Sequence, residues 1–170
     1  MGDGMVKQLA AALALLMVHV AAGAQTAAPA APERDADFHN RQQLFLLQLK
    51  PSDGWAATAS GLRYRRTKAG PGGASPSPTD VVTIHYAGRF IEGGEFDSSV
   101  SRGEPATFPL PRLIKGWQEG VPLMRVGDTF EFAIPQHLAY GPKGKGPIPP
   151  GATLLFTIEL FATAPAEAPQ

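Results

Sequence analysis

The chain has 170 residues, 15 of them basic and 15 acidic, so its formal net charge is zero. A neutral chain argues against nucleic acid or an anionic membrane surface as the main partner, because both reward a basic patch. The sequence contains no cysteine, which excludes thiol nucleophiles, thiol redox chemistry and disulfides. Its four histidines share no ligand-like spacing, which argues against a zinc site.

Residues 1–24 have the pattern of a secretory signal peptide. An apolar run from Leu9 to Ala22 follows a short charged lead and ends in a small-x-small cleavage site before Gln25. Met5 is an alternative start. The apolar run is shorter than the roughly 20 residues of a comfortable membrane span, which favours cleavage over an uncleaved anchor. We therefore expect an exported, soluble mature chain from about Gln25.

Composition divides the rest of the chain into a folded part and two Ala/Pro-rich ends. Residues 25–35 are predicted to be a disordered linker, and residues 163–170 a disordered tail. Residues 36–54 carry a partly helical apolar pattern with an aspartate as its cap. This short N-terminal helical segment is expected to pack on its own domain in preference to a partner. The main domain is predicted over residues 55–162.

Short strands with alternating apolar residues follow one another through the main domain. They are Leu62–Gly70, Val81–Phe90, Ala106–Leu110, Thr129–Pro135 and Thr153–Phe161. A hairpin turn is predicted at residues 92–94, and one or two helical turns at residues 113–124. Several such strands with one short helix predict an α+β domain in which an antiparallel sheet wraps over that helix.

The stretch Phe96-Asp97-Ser98-Ser99 raises the question of nucleophilic catalysis. A serine nucleophile needs a base in reach, but neighbours on a strand point to opposite faces, and the chain has no G-x-S-x-G elbow. Ser98 and Ser99 are therefore predicted to cap a turn. No spacing selects a pair of carboxylates for glycoside hydrolysis. The glycines of residues 141–146 do not match a phosphate-binding loop.

Five segments stand in a fixed order at close spacing: IHYAGRF, EFDSS, IKGWQEGVPLM, LAYGPKG and IPPGATLLFTIEL. Together they resemble the FKBP-type peptidyl-prolyl isomerases over about residues 62–161. The signal peptide and the pre-domain segment ending in TASGLRY look like those of the exported bacterial members. The resemblance implies a five- to six-stranded antiparallel sheet curled around one short helix, with a pocket between them. It implies no cofactor and no metal, and a periplasmic location in a Gram-negative bacterium.

The resemblance also implies the site residues, motif by motif. The implied catalytic residues are Asp97, Tyr140 and Phe96. The implied substrate-binding residues are Tyr86, Phe96, Arg102, Leu113, Ile114, Trp117, Tyr140, Ile148 and Phe156. Trp117 is expected to be the pocket floor, because its indole offers a broad apolar face. The Tyr140 hydroxyl and the Ile114 N–H are expected to donate to substrate carbonyls.

The role of Asp97 stays open between two interpretations. It either contacts the twisted substrate carbonyl indirectly from the rim, or is a purely structural acceptor for Arg102.

Three features depart from the family pattern. Ala106 stands where many members carry a second phenylalanine, which removes one wall and counts against tight binding of macrolide inhibitors such as rapamycin. Leu113 replaces the commoner valine, and the loop at residues 141–150 is slightly short, so the substrate preference stays open.

Rotation about an X-Pro bond is a reaction that an apolar pocket can accelerate without a nucleophile. The spontaneous barrier of about 18–20 kcal/mol is mostly lost amide resonance. The twisted amide is less polar than the planar one, so an apolar pocket favours it. A ~10⁴-fold acceleration requires about 5.5 kcal/mol of differential binding.

The sequence therefore predicts a prolyl isomerase that assists the folding of exported, proline-containing polypeptides. The alternative is a chaperone or binding module that uses the same pocket with little turnover. A monomer is expected, because only residues 36–50 are available as a helical dimerisation segment.

Overall fold

The computed structural model describes residues 31–166, which form an N-terminal helix and an antiparallel sheet domain. The predicted signal peptide and the first part of the predicted linker lie outside the described residues, as do residues 167–170. Within the described range, no helix is long and apolar enough to cross a membrane.

Within residues 31–166 the sheet has seven strands, and every pairing between them is antiparallel. The strands are β1 Ala56–Ala57, β2 Arg63–Lys68, β3 Val81–Phe90, β4 Glu95–Ser98, β5 Ala106–Pro109, β6 Thr129–Ile134 and β7 Leu154–Ala164. Their order in the sheet is β1-β2-β6-β7-β3-β4, with β5 paired to β3. The α+β class and the antiparallel sheet are confirmed, while the predicted number of five or six strands is too low.

The helices are α1 Ala31–Gln48, α2 Ser99–Arg102 and α3 Lys115–Gly120, and several 3-10 turns lie between the strands. The core lies between α3 and one face of the sheet, which we call the inner face. The predicted alternation holds in β3, where Val82 and Ile84 are fully buried on this face and Thr83 between them is only partly buried. The same alternation buries Leu154 and Ile158 in β7.

Glycine allows α3 to lie unusually close to the sheet. A Cβ at Gly120 would lie 2.6 Å from Cε1 of Phe132. A Cβ at Gly116 would lie 2.9 Å from Cδ1 of Ile134 and nearer still to its Cγ2. Both partner side chains are almost completely buried, so they have no free space to move into. Because glycine has no side chain, Gly116 and Gly120 set the short distance between helix and sheet.

Two predicted boundaries are wrong. Helix α1 begins at Ala31, so residues 31–35 belong to the helix and not to a linker. Alanine is the best helix former, and proline is tolerated in a first turn, so an Ala/Pro-rich composition is compatible with a helix start. Strand β7 continues to Ala164 because its last residues pair with Val81 and Val82 of β3, so the predicted tail starts too early.

Helix α1 packs one face against the domain. Phe38 packs against the hydrophobic core, and Gln42 is buried with 3% of its surface exposed. Phe45 and Leu49 line a cavity of about 330 Å³ over the outer face of the sheet. The helix ends at Gln48, just before the Pro51 turn. The described part of this segment therefore packs some of its apolar side chains on its own domain, while Leu44 and Leu47 stay exposed.

The close approach of α3 gives the first prediction. Gly116→Ala should lower the free energy of unfolding by about 1–3 kcal/mol, because the added methyl overpacks against Ile134. The same change at an unpacked helix position stabilises by about 1 kcal/mol. Urea denaturation measures the difference, with Lys115→Ala on the exposed side of α3 as the control. A Gly116→Ala protein as stable as the wild type would contradict the packing described here.

Candidate active site

A cavity of about 400 Å³ opens between the inner face of the sheet and α3, and we call it the aromatic pocket. Its lining residues are Tyr86, Phe96, Asp97, Phe108, Arg112, Leu113, Ile114, Trp117, Tyr140, Lys145 and Phe156. A second cavity of about 290 Å³ shares Phe96, Asp97, Tyr140 and Lys145 with it and extends to Gly146, Pro147 and Ile148. We call this second cavity the rim groove. Phe96 and Tyr140 thus face both spaces.

Edge-to-face packing fixes the rings of the aromatic pocket. The Trp117 ring lies 5.1 Å from that of Phe156 and 5.2 Å from that of Tyr86, at interplanar angles of 87° and 78°. The Phe96 ring lies 5.6 Å from that of Phe156, at 89°. Aromatic pairs in this geometry contribute about 0.5–1.5 kcal/mol each beyond their buried area. The rings therefore support one another and form a preformed apolar cleft.

Strand β3 supplies both a ring and the space for other rings. Tyr86 and Gly88 lie two residues apart on the same face of the strand. A Cβ at Gly88 would lie 2.7 Å from Cζ of Phe96 and 2.8 Å from Cε1 of Phe156. Glycine at this position therefore lets the two phenylalanine rings lie directly against the backbone of β3.

Trp117 lies at the bottom of the aromatic pocket, with 5% of its surface exposed. Among residues 31–166, no acceptor bonds its buried indole N–H. Ile114, which precedes the first residue of α3, has an extended backbone. Within the described range its N–H donates to no protein acceptor, so it is available to a ligand in the pocket.

A three-membered polar network closes one side of the aromatic pocket. The Tyr86 hydroxyl donates to Oδ2 of Asp97 at 2.6 Å and accepts from Nη2 of Arg102 at 2.9 Å. Arg102 also donates through Nη1 to Oδ1 of Asp97 at 2.5 Å. Both carboxylate oxygens are therefore engaged by neighbouring side chains. The rigid network fixes the Tyr86 ring against the pocket wall.

The network shifts the pKa values of its members. Burial alone would raise the pKa of the Asp97 carboxyl, but the hydrogen bonds from Tyr86 and Arg102 and the guanidinium charge outweigh it, so the pKa lies below its ordinary value. Burial, reinforced by the hydrogen bond to Asp97, raises the pKa of Tyr86. Asp97 is therefore ionised and Tyr86 protonated throughout the neutral range.

Tyr140 differs from Tyr86 in having a free hydroxyl. Among the side chains of residues 35–166, none forms a hydrogen bond with it. Burial, followed by the negative charge of Asp97, raises the pKa of this phenol. Tyr140 therefore keeps its proton at neutral pH and can donate it in a hydrogen bond to a ligand carbonyl.

Ser98 and Ser99 support the local backbone, as predicted. The Ser98 hydroxyl accepts the N–H of Ser101 at 3.1 Å and caps α2. Ser99 is fully buried, and its hydroxyl accepts the N–H of Tyr86 at 2.7 Å. Although Nδ1 of His85 lies 3.0 Å from the Ser99 hydroxyl, this oxygen is closed off from any substrate.

The structure brings most of the predicted site residues together. Eight of them line the aromatic pocket: Tyr86, Phe96, Asp97, Leu113, Ile114, Trp117, Tyr140 and Phe156. Ile148 lines the rim groove. Arg102 lines neither cavity and acts behind the wall, through Asp97 and Tyr86.

The sequence reasoning missed three lining residues: Phe108, Arg112 and Lys145. The Phe108 ring lies 6.2 Å from that of Tyr86 and 6.5 Å from that of Trp117. It lies two residues after Ala106 on β5, so the period of the strand places both on one face. This period could have identified a phenylalanine on the face where Ala106 leaves a gap. No comparable signal marked the two cations.

Arg112 and Lys145 make the mouth of the aromatic pocket cationic. Lys145 lies over the Tyr140 ring, 5.7 Å from its centroid. Among residues 35–166, neither cation has a carboxylate within salt-bridge distance. The cavity over the outer face of the sheet also contains a cation, Arg65, but this cation has partners. It pairs with Glu131 at 2.6 Å and stacks on Trp55.

Comparison with known proteins identifies related sequences. A family model described as "FKBP-type peptidyl-prolyl cis-trans isomerase" matches residues 72–161. An "FKBP-type peptidyl-prolyl cis-trans isomerase FkpA" from Aeromonas hydrophila is 47% identical over 131 residues, which are 76% of this chain and 48% of that protein. An "FKBP-type 22 kDa peptidyl-prolyl cis-trans isomerase" from Escherichia coli is 49% identical over 69% of this chain and 57% of that protein. The chain spans about half the length of these curated relatives.

Solved structures share the same architecture. The crystal structure of FkpA from Escherichia coli matches with a TM-score of 0.74 and 38% identity, over 79% of this chain and 63% of that one. A peptidyl-prolyl cis-trans isomerase from Pseudomonas syringae matches with a TM-score of 0.70 and 30% identity, over 81% of this chain and 99% of that one.

The polar network gives a prediction about acid stability. A carboxyl whose native pKa lies below its unfolded value of about 3.9 stabilises the fold above that pH, and this contribution is lost as the pH falls through the native pKa. The unfolding free energy of the wild type should therefore fall more steeply between pH 5 and pH 2 than that of Asp97→Asn. Urea denaturation at several pH values measures both slopes.

The matched control is Asp53→Asn, which removes an exposed carboxylate that forms no salt bridge with the side chains of residues 35–166. It removes one carboxylate without touching the network, so the difference between its slope and that of Asp97→Asn reports on the network itself. Identical slopes for Asp97→Asn and the wild type would show that the network does not stabilise the ionised carboxylate.

Proposed function

Because the chain belongs to the FKBP-type peptidyl-prolyl cis-trans isomerase family, we propose that it accelerates cis–trans rotation of X-Pro bonds in exported polypeptides. The observation that carries this proposal is the aromatic pocket, whose rings are preformed and whose volume of about 400 Å³ is ample for a proline side chain with its flanking peptide groups. The aromatic pocket suits proline because an apolar, ring-lined cleft fits a pyrrolidine and because its few polar groups are suited to peptide carbonyls.

The proline ring binds on the Trp117 floor, against the rings of Phe96 and Phe156. The edge-to-face arrangement of these three rings holds the cleft open before the substrate arrives. Binding therefore costs little rearrangement of the protein. In this apolar environment the planar amide loses its hydration, while the twisted amide, with its weaker dipole, loses less. The difference lowers the barrier to rotation.

Two free donors hold the flanking carbonyls while the amide rotates. The Tyr140 hydroxyl is protonated at neutral pH and faces both cavities. The Ile114 N–H lies at the start of α3. Each of these donors binds one carbonyl, so one side of the X-Pro bond is fixed relative to the proline ring. Rotation then takes place about the C–N bond of the X-Pro amide alone, with no proton transferred.

Asp97 has a structural role in the wall of the aromatic pocket and does not act as a base. Its two carboxylate oxygens already accept from Tyr86 and Arg102, and its lowered pKa makes it a weak proton acceptor. Arg102 therefore contributes to substrate binding indirectly, by holding Asp97 and Tyr86 in place. This favours the structural interpretation of Asp97 over contact with the reacting amide.

A second candidate function is a chaperone that holds clients with little turnover. The observation that favours it is the open rim groove with its cationic Lys145, which can contact residues beyond the proline. The two functions separate in one assay, because a holding chaperone would bind X-Pro peptides at the aromatic pocket without accelerating their isomerisation.

We also propose a periplasmic location and a monomeric state. The predicted signal peptide supports export. Phe38, Phe45 and Leu49 contact their own domain, which supports a monomer, although Leu44 and Leu47 of α1 are exposed. Sedimentation of the mature chain tests the monomeric state.

Macrolides such as rapamycin are proposed as ligands of the aromatic pocket, where Phe108 lies on the side that Ala106 leaves open.

The pocket assignment gives a prediction about turnover. Phe96→Ala should lower kcat/KM on a short X-Pro peptide by about ten- to hundredfold, because loss of a buried phenylalanine contact costs about 1.5–3 kcal/mol. A coupled or direct isomerisation assay measures it. The control is Phe161→Ala, which removes a phenylalanine that is 42% exposed and lines neither cavity. Full turnover by a folded Phe96→Ala protein would show that the aromatic pocket is not the site.

A further inference from the structure

A single buried side chain of α1 connects two separate parts of the domain. Gln42 is 3% exposed. Its Oε1 accepts the N–H of Thr153 at 2.9 Å, and its Nε2 donates to Oε1 of Glu92 at 3.1 Å. Since one partner is a donor and the other a carboxylate acceptor, the orientation of the amide is fixed. The Thr153 hydroxyl also donates to the main-chain oxygen of Gln42 at 3.4 Å.

Thr153 ends the loop that forms one wall of the rim groove. This loop connects β6 to β7 and carries Lys145 and Ile148, which exchange two main-chain hydrogen bonds at 2.9 and 3.0 Å. Further along, Gly151 donates to the carbonyl of Gly141 at 3.0 Å. A Cβ at Gly151 would overlap the ring of His39 on α1. Helix α1 therefore packs on the end of this loop next to Ile148.

Glu92 belongs to the turn that leads to the opposite wall. The turn joins β3 to β4 and is closed by hydrogen bonds between Phe90 and Gly94 and between Gly93 and Phe90. Strand β4 begins directly after it and carries Phe96 and Asp97 into the rim groove. The two partners of the Gln42 amide thus belong to the two segments between which the rim groove opens.

We propose that Gln42 is a positioning residue for the substrate-binding site. Its amide joins the Ile148 wall to the Phe96 wall and so sets the width of the rim groove, which accommodates the residues flanking the proline. This inference rests on the proposed isomerase function. It gives helix α1 a part in substrate affinity although no residue of α1 lines either cavity.

The loss of the Gln42 amide has a defined consequence. Thr153 is 2% exposed, so its N–H would be left without an acceptor in a buried position. The loop can satisfy this N–H by moving away from the β3–β4 turn and toward water. A wider groove binds the flanking residues more weakly but leaves the Trp117 floor intact. The effect should therefore appear in KM and leave kcat almost unchanged.

The test compares Gln42→Ala with Gln43→Ala, the exposed neighbour on the same helix. For an X-Pro peptide extended by two residues on each side, Gln42→Ala should raise KM about five- to tenfold with kcat within about twofold. A minimal X-Pro peptide, which does not reach the rim groove, should show no change. Gln43→Ala should match the wild type on both peptides.

A matched exchange of the two side chains provides a rescue. Gln42→Glu keeps an acceptor for the Thr153 N–H but places a second carboxyl group beside Glu92. At an alkaline pH at which both carboxyl groups are ionised, KM should rise as in Gln42→Ala. Adding Glu92→Gln supplies an amide donor to the new carboxylate and restores both hydrogen bonds. The double variant should therefore return to within about twofold of the wild-type KM. If the two substitutions only destabilised the protein, their effects on KM would add, and the double variant would not recover the wild-type KM.

Amide hydrogen exchange provides a readout that does not require turnover. Gln42→Ala should speed exchange at Ile148 and Thr153 about tenfold or more relative to Gln43→Ala, while the N–H groups of β7 keep their protection. A wild type that isomerises no X-Pro peptide would overturn the proposed function, whereas the exchange rates would still decide the role of Gln42. Equal KM values and equal exchange in the two alanine variants would overturn the present inference.

Discussion

The close approach of α3 to the inner face of the sheet is the constraint on which the site depends. Gly116 and Gly120 leave no side chain between the helix and Ile134 or Phe132. Because the helix lies so near, the Trp117 ring reaches the rings of β3 and β7 and becomes the floor of a cavity. A helix held one side chain further away would leave a wider and wetter space. Backbone proximity thus determines the shape of the aromatic pocket.

The polar groups of the site divide into those that are paired and those that are free. Tyr86, Asp97 and Arg102 satisfy one another and stabilise a wall. The Tyr140 hydroxyl and the Ile114 N–H have no partner among the described residues and face the cavity. This division fits a reaction that needs orientation and a change of dielectric environment. It does not fit one that needs a strong base, because the only carboxylate in the lining of the aromatic pocket is already engaged.

Much of the sheet could be predicted from local patterns, because a strand buried on one face has a period of two. Strand β1 has only two residues, and β4 has a single apolar residue, Phe96, so neither of them shows this period. The start of α1 was missed because composition alone does not separate a linker from a helix rich in alanine. The role of Gln42 depends on contacts with residues distant in the chain. Gln42 bonds partners 50 and 111 residues away, and no local pattern encodes such a pairing.

The central claim is that an apolar pocket accelerates X-Pro rotation without proton transfer. The most direct measurement is kcat/KM for an X-Pro peptide in H₂O and in D₂O between pH 6 and pH 9. The account predicts isomerisation well above the spontaneous rate, independent of pH in this range and equal in the two solvents. No acceleration, a bell-shaped pH profile, or a rate about twofold or more slower in D₂O would contradict it, because the last two results indicate general acid–base catalysis.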